Sequence, residues 1–459
     1  MTGRPLRFWD LALYALAVGF GIRWLPYSAA AGLATLPLWL IGMAGFMWPL
    51  VIATGEMVGR YPGDGGVYDW TRETLGPFTG FLTGWLYWTC NLPFFSTMLY
   101  FTFASFAAAL GPGAAHALAN PWVFAGLASA TALAVGVLHW LGLGTGKWLT
   151  NFGSIALAIL MAVLLIVGAI VALTSGPATD LTHASLVPPL TADGAALWSI
   201  MVFAYGGPEA LAFLRQDVDG GVRQILRVLA VVGVVVVIGY IAGTLSILAI
   251  MRPQDASRLA GLPDAFTAGF ARLGLRGLAP IPNLLLALAA LGSYSAWFGV
   301  AARLPFAIGV DHYFPAAFAR RNPKTGAPTT AIAVQVAAVI VLVILGQAGS
   351  TVKAAFDFLV SFTVVSYTLP FVWLFLAYFA VKGPAEPGIW IAPGGVAGRR
   401  AIAITGLVVT TTAIACTLVP SPDATDKLGA VIKLLASSGV LIGAGALIYA
   451  LAQRRRAAQ

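Results

Sequence analysis

The sequence predicts an all-α integral membrane protein of twelve transmembrane helices, the first and sixth of them broken near mid-length. Three observations carry that prediction. Hydrophobic residues are 59% of the chain and charged residues 9%, against about 25% charged in an ordinary soluble domain. Scanning for the roughly 20 mainly apolar residues that span a hydrocarbon core gives twelve segments. Two of these are interrupted, one by Gly19-Phe20-Gly21 and the other by Ala204-Tyr205-Gly206-Gly207-Pro208.

In chain order the segments fall at 8–32, 37–59, 77–110, 121–141, 147–174, 194–216, 224–250, 279–309, 328–346, 353–380, 400–419 and 426–452. The first follows Arg4 and Arg7 and lacks a clear small-residue cleavage site, so it reads as a retained helix and not as a removed signal peptide. Its interruption matters because every backbone N–H and C=O in a bilayer core must be bonded internally. Freed groups are tolerated only against protein, water or a bound solute. Several segments, 77–110 and 279–309 among them, exceed the minimum length, which implies tilt or protrusion into water. The sixth repeats the interruption of the first in the other half of the chain, the sequence pattern that points to a solute site at the membrane midplane. The longest stretches between segments, 175–193 and 251–278, read as re-entrant or surface helices, with lids over an outer vestibule as the alternative.

An even number of spans puts both termini on one side. With a cytoplasmic N-terminus, eighteen of the 26 Lys and Arg fall inside, seven fall outside and Arg23 lies within the first span. The positive-inside rule therefore assigns both termini to the cytoplasmic face of a cell (inner) membrane. The net charge of +9 is a topology signal and lacks the clustering that a nucleic-acid face would need. Cys90 and Cys416 lie in apolar segments, and His116, His139, His183 and His312 are scattered, reading as interfacial or loop residues. No disulfide, metal site, cofactor or enzymatic cluster is expected from them.

Four stretches, in this order, resemble bacterial members of the amino acid-polyamine-organocation superfamily. The first is Gly19-Phe20-Gly21-Ile22-Arg23-Trp24-Leu25-Pro26, similar to the family's motif at the break of helix 1. The second runs from Gly55-Glu56 through Tyr61-Pro62-Gly63-Asp64-Gly65-Gly66-Val67-Tyr68, like the end of helix 2. The third is Phe203-Ala204-Tyr205-Gly206-Gly207-Pro208-Glu209, like the broken helix 6. The fourth spans Ser293-Tyr294-Ser295-Ala296-Trp297, Ala302-Arg303, Gly309-Val310-Asp311 and Phe314-Pro315, then Asn322 to Pro328, like helix 8 and its loop. The resemblance implies two inverted five-helix repeats, 8–174 and 194–380, followed by two C-terminal helices over 400–452. Those last helices are matched by hydropathy alone. It also implies a single transporter domain over 1–459, either alone or as a homodimer.

An amino acid offers a carboxylate and an ammonium group, and a broken helix provides a complement to each. The N-terminal end of a half-helix presents N–H groups and partial positive charge, and the C-terminal end presents carbonyls. Backbone from Gly19 to Ile22 is expected to hold the carboxylate, and carbonyls near Phe203 and Ala204, with Tyr205 and Gly206 at the start of the second break, to take the ammonium. Glycine permits that approach, although glycines also serve plain helix packing. Phe20 would narrow the site or cover the aliphatic part of a substrate. Arg23 must have a partner, since an interior cation costs about 2.5–3.5 kcal/mol on insertion scales. It reads either as a ligand for substrate carboxylate, or a fixed charge in place of a coupling ion, or as a structural residue in a wet vestibule or paired with a neighbouring carboxylate. By resemblance Phe203 is the gate that caps the substrate. Phe203 and Tyr205 point to different sides of a helical turn, so only one of them can cap. Asn91 falls at a position resembling a substrate-contacting Asn, with an interhelical bond as the alternative. Glu209 reads as a brace of the break or a proton carrier, and Glu56 as a brace near the membrane boundary.

Coupling is less legible. Sodium-driven relatives use helix-8 hydroxyls and helix-1 carbonyls, for which Ser293 and Ser295 are available. Proton-coupled relatives with a helix-5 lysine would carry it near Ala156 or Leu157, and Lys147 lies at the cytoplasmic end of that helix. The leading function is secondary active transport of amino acids or derived amines across a membrane by alternating access, as exchange or ion-coupled uptake. The alternatives are polyamine transport and a solute channel.

Overall fold

The computed structural model describes residues 7–457 apart from 62, 64, 142, 181–184, 189–190, 258, 306–312, 348–351 and 420–425. Arg4, Pro62, Asp64, His183, Gly309 to Asp311 and His312 lie outside the described residues, as does the side chain of Lys147.

Among the described residues, twelve helical spans are long and apolar enough to cross a membrane. They are span 1 (Phe8–Ala30), span 2 (Gly32–Arg60), span 3 (Pro77–Leu110), span 4 (Pro121–Trp140), span 5 (Leu149–Ser175), span 6 (Gly194–Arg215), span 7 (Gly221–Ile250), span 8 (Arg276–Pro305), span 9 (Thr329–Gln347), span 10 (Ala355–Ala380), span 11 (Gly395–Thr417) and span 12 (Lys427–Arg456). The chain is a multi-pass membrane protein. Span 2 begins five residues earlier than hydropathy suggests and contains a wide turn, Met43–Met47, immediately before Trp48-Pro49. Proline has no N–H to donate, and a π-type turn absorbs that missing bond.

Enclosure by protein separates the spans. Spans 6, 10 and 8 are the most enclosed, at 83, 72 and 67% of their apolar windows, and spans 11 and 12 the least, at 22 and 17%. The centre of the bundle therefore holds span 6, and the two C-terminal spans lie at its periphery. Small residues allow the closest crossings. A Cβ on Gly153 of span 5 would stand 2.5 Å from the Gly292 Cα of span 8, the backbone approach that Gly-rich membrane helices permit.

Polar clusters secure both ends. Near the face that carries the termini, the buried Glu56 carboxylate accepts bonds from Arg60 Nε (2.8 Å), Arg399 Nη1 (3.3 Å), the Tyr378 hydroxyl (2.9 Å) and the Ala392 N–H (3.0 Å). It thereby braces span 2 against spans 10 and 11. On the opposite face the stretch 251–278 contains a packed surface helix, Gly261–Arg272. Arg272 donates to the carbonyls of Ala249 (2.9 Å), Ile250 (3.2 Å) and Gly176 (2.8 Å), so one guanidinium satisfies carbonyls left orphaned where spans 5 and 7 end.

Candidate functional site

Span 1 loses its helical path after Gly19. Phe20 and Gly21 take φ/ψ of −116/107° and −100/89°, a tight turn follows at Ile22–Trp24, and helix resumes over Leu25–Ala30. Span 6 is helical from Ala192 to Ala204, opens at Tyr205 to Gly207, and continues as a 3-10 helix over Pro208–Asp217. Gly207 is required here because its φ is +124° and a Cβ on it would stand 2.7 Å from the Val18 carbonyl oxygen. Only glycine meets both conditions without strain. The two breaks therefore touch through their backbones.

Both face a cavity of about 70 Å³ whose wall takes residues 17–24 from span 1, Phe203, Ala204 and Gly206 from span 6, Asn91 and Phe94 from span 3, Ser293 and Trp297 from span 8, and Tyr367 from span 10. Leu157 lines it at one of the two positions considered for a helix-5 lysine. Gly19 is the open point of the wall, since a Cβ built there meets nothing within 4 Å. At Gly21 a Cβ would collide with the Trp24 ring at 2.5 Å, and at Gly206 with Tyr367 at 2.3 Å.

Two of the N–H groups at the span 1 break are already bonded within the protein. The Phe20 N–H stays bonded to the Leu16 carbonyl (2.9 Å), and the Gly21 N–H donates to the Tyr240 hydroxyl at 3.0 Å. The N–H groups left to meet a solute are those of Ile22 and Arg23, at the start of the second half-helix, where the partial positive charge resides. Tyr240 in turn donates to the Ala204 carbonyl at 2.9 Å, so one phenol on span 7 joins the two breaks. Sequence reasoning missed it. The available signal was a lone phenol within a Val- and Gly-rich apolar helix. The Tyr240 ring stacks on Trp39 of span 2 at 4.1 Å and 6°, and the Trp39 indole donates to Ser28 of span 1 at 2.9 Å.

Arg23 is buried, and among the described residues it pairs with no neighbouring carboxylate, one of the alternatives for it: its Nη1 donates to Thr97 Oγ1 at 3.0 Å and its Nη2 has no partner. The guanidinium carbon stands 4.1 Å from the Trp24 ring centre and 4.7 Å from that of Phe94, a cation–π arrangement that eases burial. Asn91 bonds within its own helix, from Nδ2 to the Tyr87 carbonyl at 2.7 Å, and not across to another helix. The Phe20 ring packs on Tyr240 of span 7 at 4.8 Å and lines the cavity from that side.

Phe203 stands edge-on to Trp24 (5.2 Å) and Tyr367 (5.0 Å). A groove of about 370 Å³ on the face opposite the termini is lined one turn further out on the same helices, by Tyr27, Ile200 and Val364 among others. The Phe203 ring thus belongs to an aromatic layer between cavity and groove. Glu209, fully buried, has Oε1 accepting from the hydroxyls of Tyr87 (2.8 Å) and Tyr367 (2.6 Å) and Oε2 accepting from the Gly207 N–H (3.0 Å). It braces the break.

Three sequence expectations need correction. Tyr205 does not line the cavity, because its hydroxyl reaches away to the Trp39 carbonyl at 2.7 Å. Ser295 does not join Ser293 at the helix-1 break. Ser293 Oγ donates to the Ala17 carbonyl at 3.3 Å, whereas Ser295 lies two residues on and bonds the His139 ring at 3.0 Å. His139, one residue before the end of span 4, is accordingly buried against span 8 and not exposed.

Comparison with known proteins agrees with this architecture. The family model described as amino acid permease matches residues 6–453. An uncharacterized transporter of Legionella pneumophila is 24% identical over 396 residues, covering 85% of this chain and 84% of its own length. A protein of Escherichia coli K12 provisionally named an arginine/ornithine antiporter is 25% identical over 410 residues, 82% of this chain and 83% of its own. A probable agmatine/putrescine antiporter of Lactococcus lactis is 24% identical over 242 residues, covering 52% of this chain and 50% of its own.

Proposed function

The chain belongs to the amino acid permease family, a family of membrane transporters and not enzymes, and we propose that it moves amino acids or amino acid-derived amines by alternating access at the cavity between its two helix breaks. The observation that carries this reading is the paired breaks themselves, which touch at Gly207 and Val18 and line one enclosed space, to which span 1 presents the unbonded N–H groups of Ile22 and Arg23. In this proposal the N–H groups of Ile22 and Arg23 hold the substrate carboxylate, the span 6 carbonyls and Asn91 receive the ammonium, and Phe203 is the gate toward the groove. Residues 8–174 and 194–380 form the two inverted repeats, with both termini cytoplasmic in the cell membrane, following the Lys/Arg bias. Exchange of one solute for another is the favoured mode, because the two serines diverge and Leu157 stands on the cavity wall.

Polyamine transport is disfavoured. The cavity wall carries no carboxylate among the described residues and does carry Arg23. The test is counterflow of labelled amino acids and amines in proteoliposomes with Na⁺ replaced by choline. Saturable counterflow that persists supports the reading, non-saturating flux would make the protein a channel, and strict Na⁺ dependence would return Ser293 to the centre of coupling.

A further inference from the structure

We propose, resting on the transporter reading above, that Arg23 selects a substrate of net negative charge, a dicarboxylic amino acid, one of whose carboxylates binds the free edge of the guanidinium. Arg23 is 6% exposed, lines the cavity and leaves Nη2 without a hydrogen-bond partner. Thr97 and two aromatic rings are its neighbours, and they satisfy one nitrogen and the faces of the group but supply no negative charge. A guanidinium remains protonated in proteins, and a buried charge without a counter-charge is costly. Glu209 forms no ion pair with Arg23 and instead accepts from Tyr87, Tyr367 and Gly207.

The charge count of the occupied cavity then separates substrate classes. A zwitterion of zero net charge leaves the single positive charge of Arg23 uncompensated. A cationic substrate doubles it. A dicarboxylic amino acid, at −1, makes the loaded cavity neutral, with its α-carboxylate on the N–H groups of Ile22 and Arg23 and its second carboxylate on Nη2. The carboxylate–guanidinium pairing is also the stronger kind of hydrogen bond. This sets the chain apart from relatives whose names specify arginine, ornithine, agmatine or putrescine.

The experiment uses the full chain in proteoliposomes and compares glutamate with glutamine and aspartate with asparagine as competitors in counterflow. Each pair differs by little beyond one charge. Arginine, ornithine and putrescine complete the panel. The expected result is that the acid outcompetes its amide by about 10- to 100-fold, the range a hydrogen bond to a charged group commands, with the cations weakest. Arg23→Gln, checked for folding by its elution profile, should erase the preference by weakening the acid more than the amide. Amides or cations binding as well as the acids would overturn the inference while leaving the transporter reading intact. Equal loss of acid and amide in Arg23→Gln would make Arg23 structural and overturn it as well. No saturable movement of any amino acid or amine would remove the transporter reading, and the inference with it.

Discussion

Replacing Tyr240 by phenylalanine removes one oxygen and little else. The ring is stacked on Trp39 at 4.1 Å, and phenylalanine keeps that contact. The lost hydroxyl accepts from the Gly21 N–H and donates to the Ala204 carbonyl, at 3.0 and 2.9 Å, so Tyr240→Phe orphans one backbone group in each break. In soluble proteins each orphan costs about 1–3 kcal/mol. Hydrogen bonds inside membrane bundles measure less, averaging about 0.6 kcal/mol with a maximum near 1.7, and the Gly21 N–H borders a cavity where water or substrate can reach it. The lower scale is therefore appropriate, and the two bonds together amount to about 1–3 kcal/mol. Where that energy holds the breaks in register for binding, its loss weakens substrate affinity by about 5- to 150-fold. The assay is calorimetric titration of wild type and Tyr240→Phe in one detergent, paired with thermal midpoints of both without ligand. Wild-type affinity and an unchanged midpoint would show that the phenol does not couple the two breaks.

Gly19→Val should fold normally and lose binding, because its side chain enters open space in the cavity. Gly21→Ala, which drives a Cβ into Trp24, should cost about 1–3 kcal/mol by overpacking, and equal thermal midpoints for the two variants would contradict that contrast. Phe203→Ala should reduce exchange in proteoliposomes more than Tyr205→Phe, since the former opens the aromatic layer and the latter only frees the Trp39 carbonyl; wild-type flux from Phe203→Ala removes its gating role. Glu56→Gln should lower the thermal midpoint by the equivalent of about 3–5 kcal/mol, the cost of stranding a buried ionic partner, with substrate preference unchanged. A stable Glu56→Gln would mean that Arg60 and Arg399 find other partners.

Span number and span position were legible because hydropathy over twenty residues reports solvent class directly, and the breaks were legible because closely spaced glycines interrupt corresponding segments in the two halves of the chain. Facing was harder to read. Helices that are apolar on every side have no polar stripe to show which way they turn, so Ser293 and Ser295 looked equivalent although one meets Ala17 and the other His139. The burial of His139 was hidden because nothing in its own helix shows that Ser295 waits on a neighbour. The opposed directions of Phe203 and Tyr205 followed from their two-residue separation, but the destination of Tyr205, the Trp39 carbonyl, is a tertiary fact. Tyr240 was invisible for the same reason: its importance lies in what two distant breaks present to it.

Trp39 has a kinematic consequence. Its indole N–H binds span 1, its carbonyl binds span 6 through Tyr205, and its ring lies flat on span 7, so spans 1, 2, 6 and 7 are fastened together at one residue of span 2. Elements pinned this way translate and rotate as one rigid body. The joint between that body and spans 3 and 10 is crossed at Glu209, where a single carboxylate oxygen receives two phenols, one from each span. A planar carboxylate accepting from two freely rotating hydroxyls keeps both bonds through a change of angle, much as a ball joint does, whereas interlocked side chains would have to disengage. Tilting about Glu209 keeps these two bonds, whereas the Arg23–Thr97 and Glu56–Tyr378 bonds that cross the same boundary must yield for it to proceed.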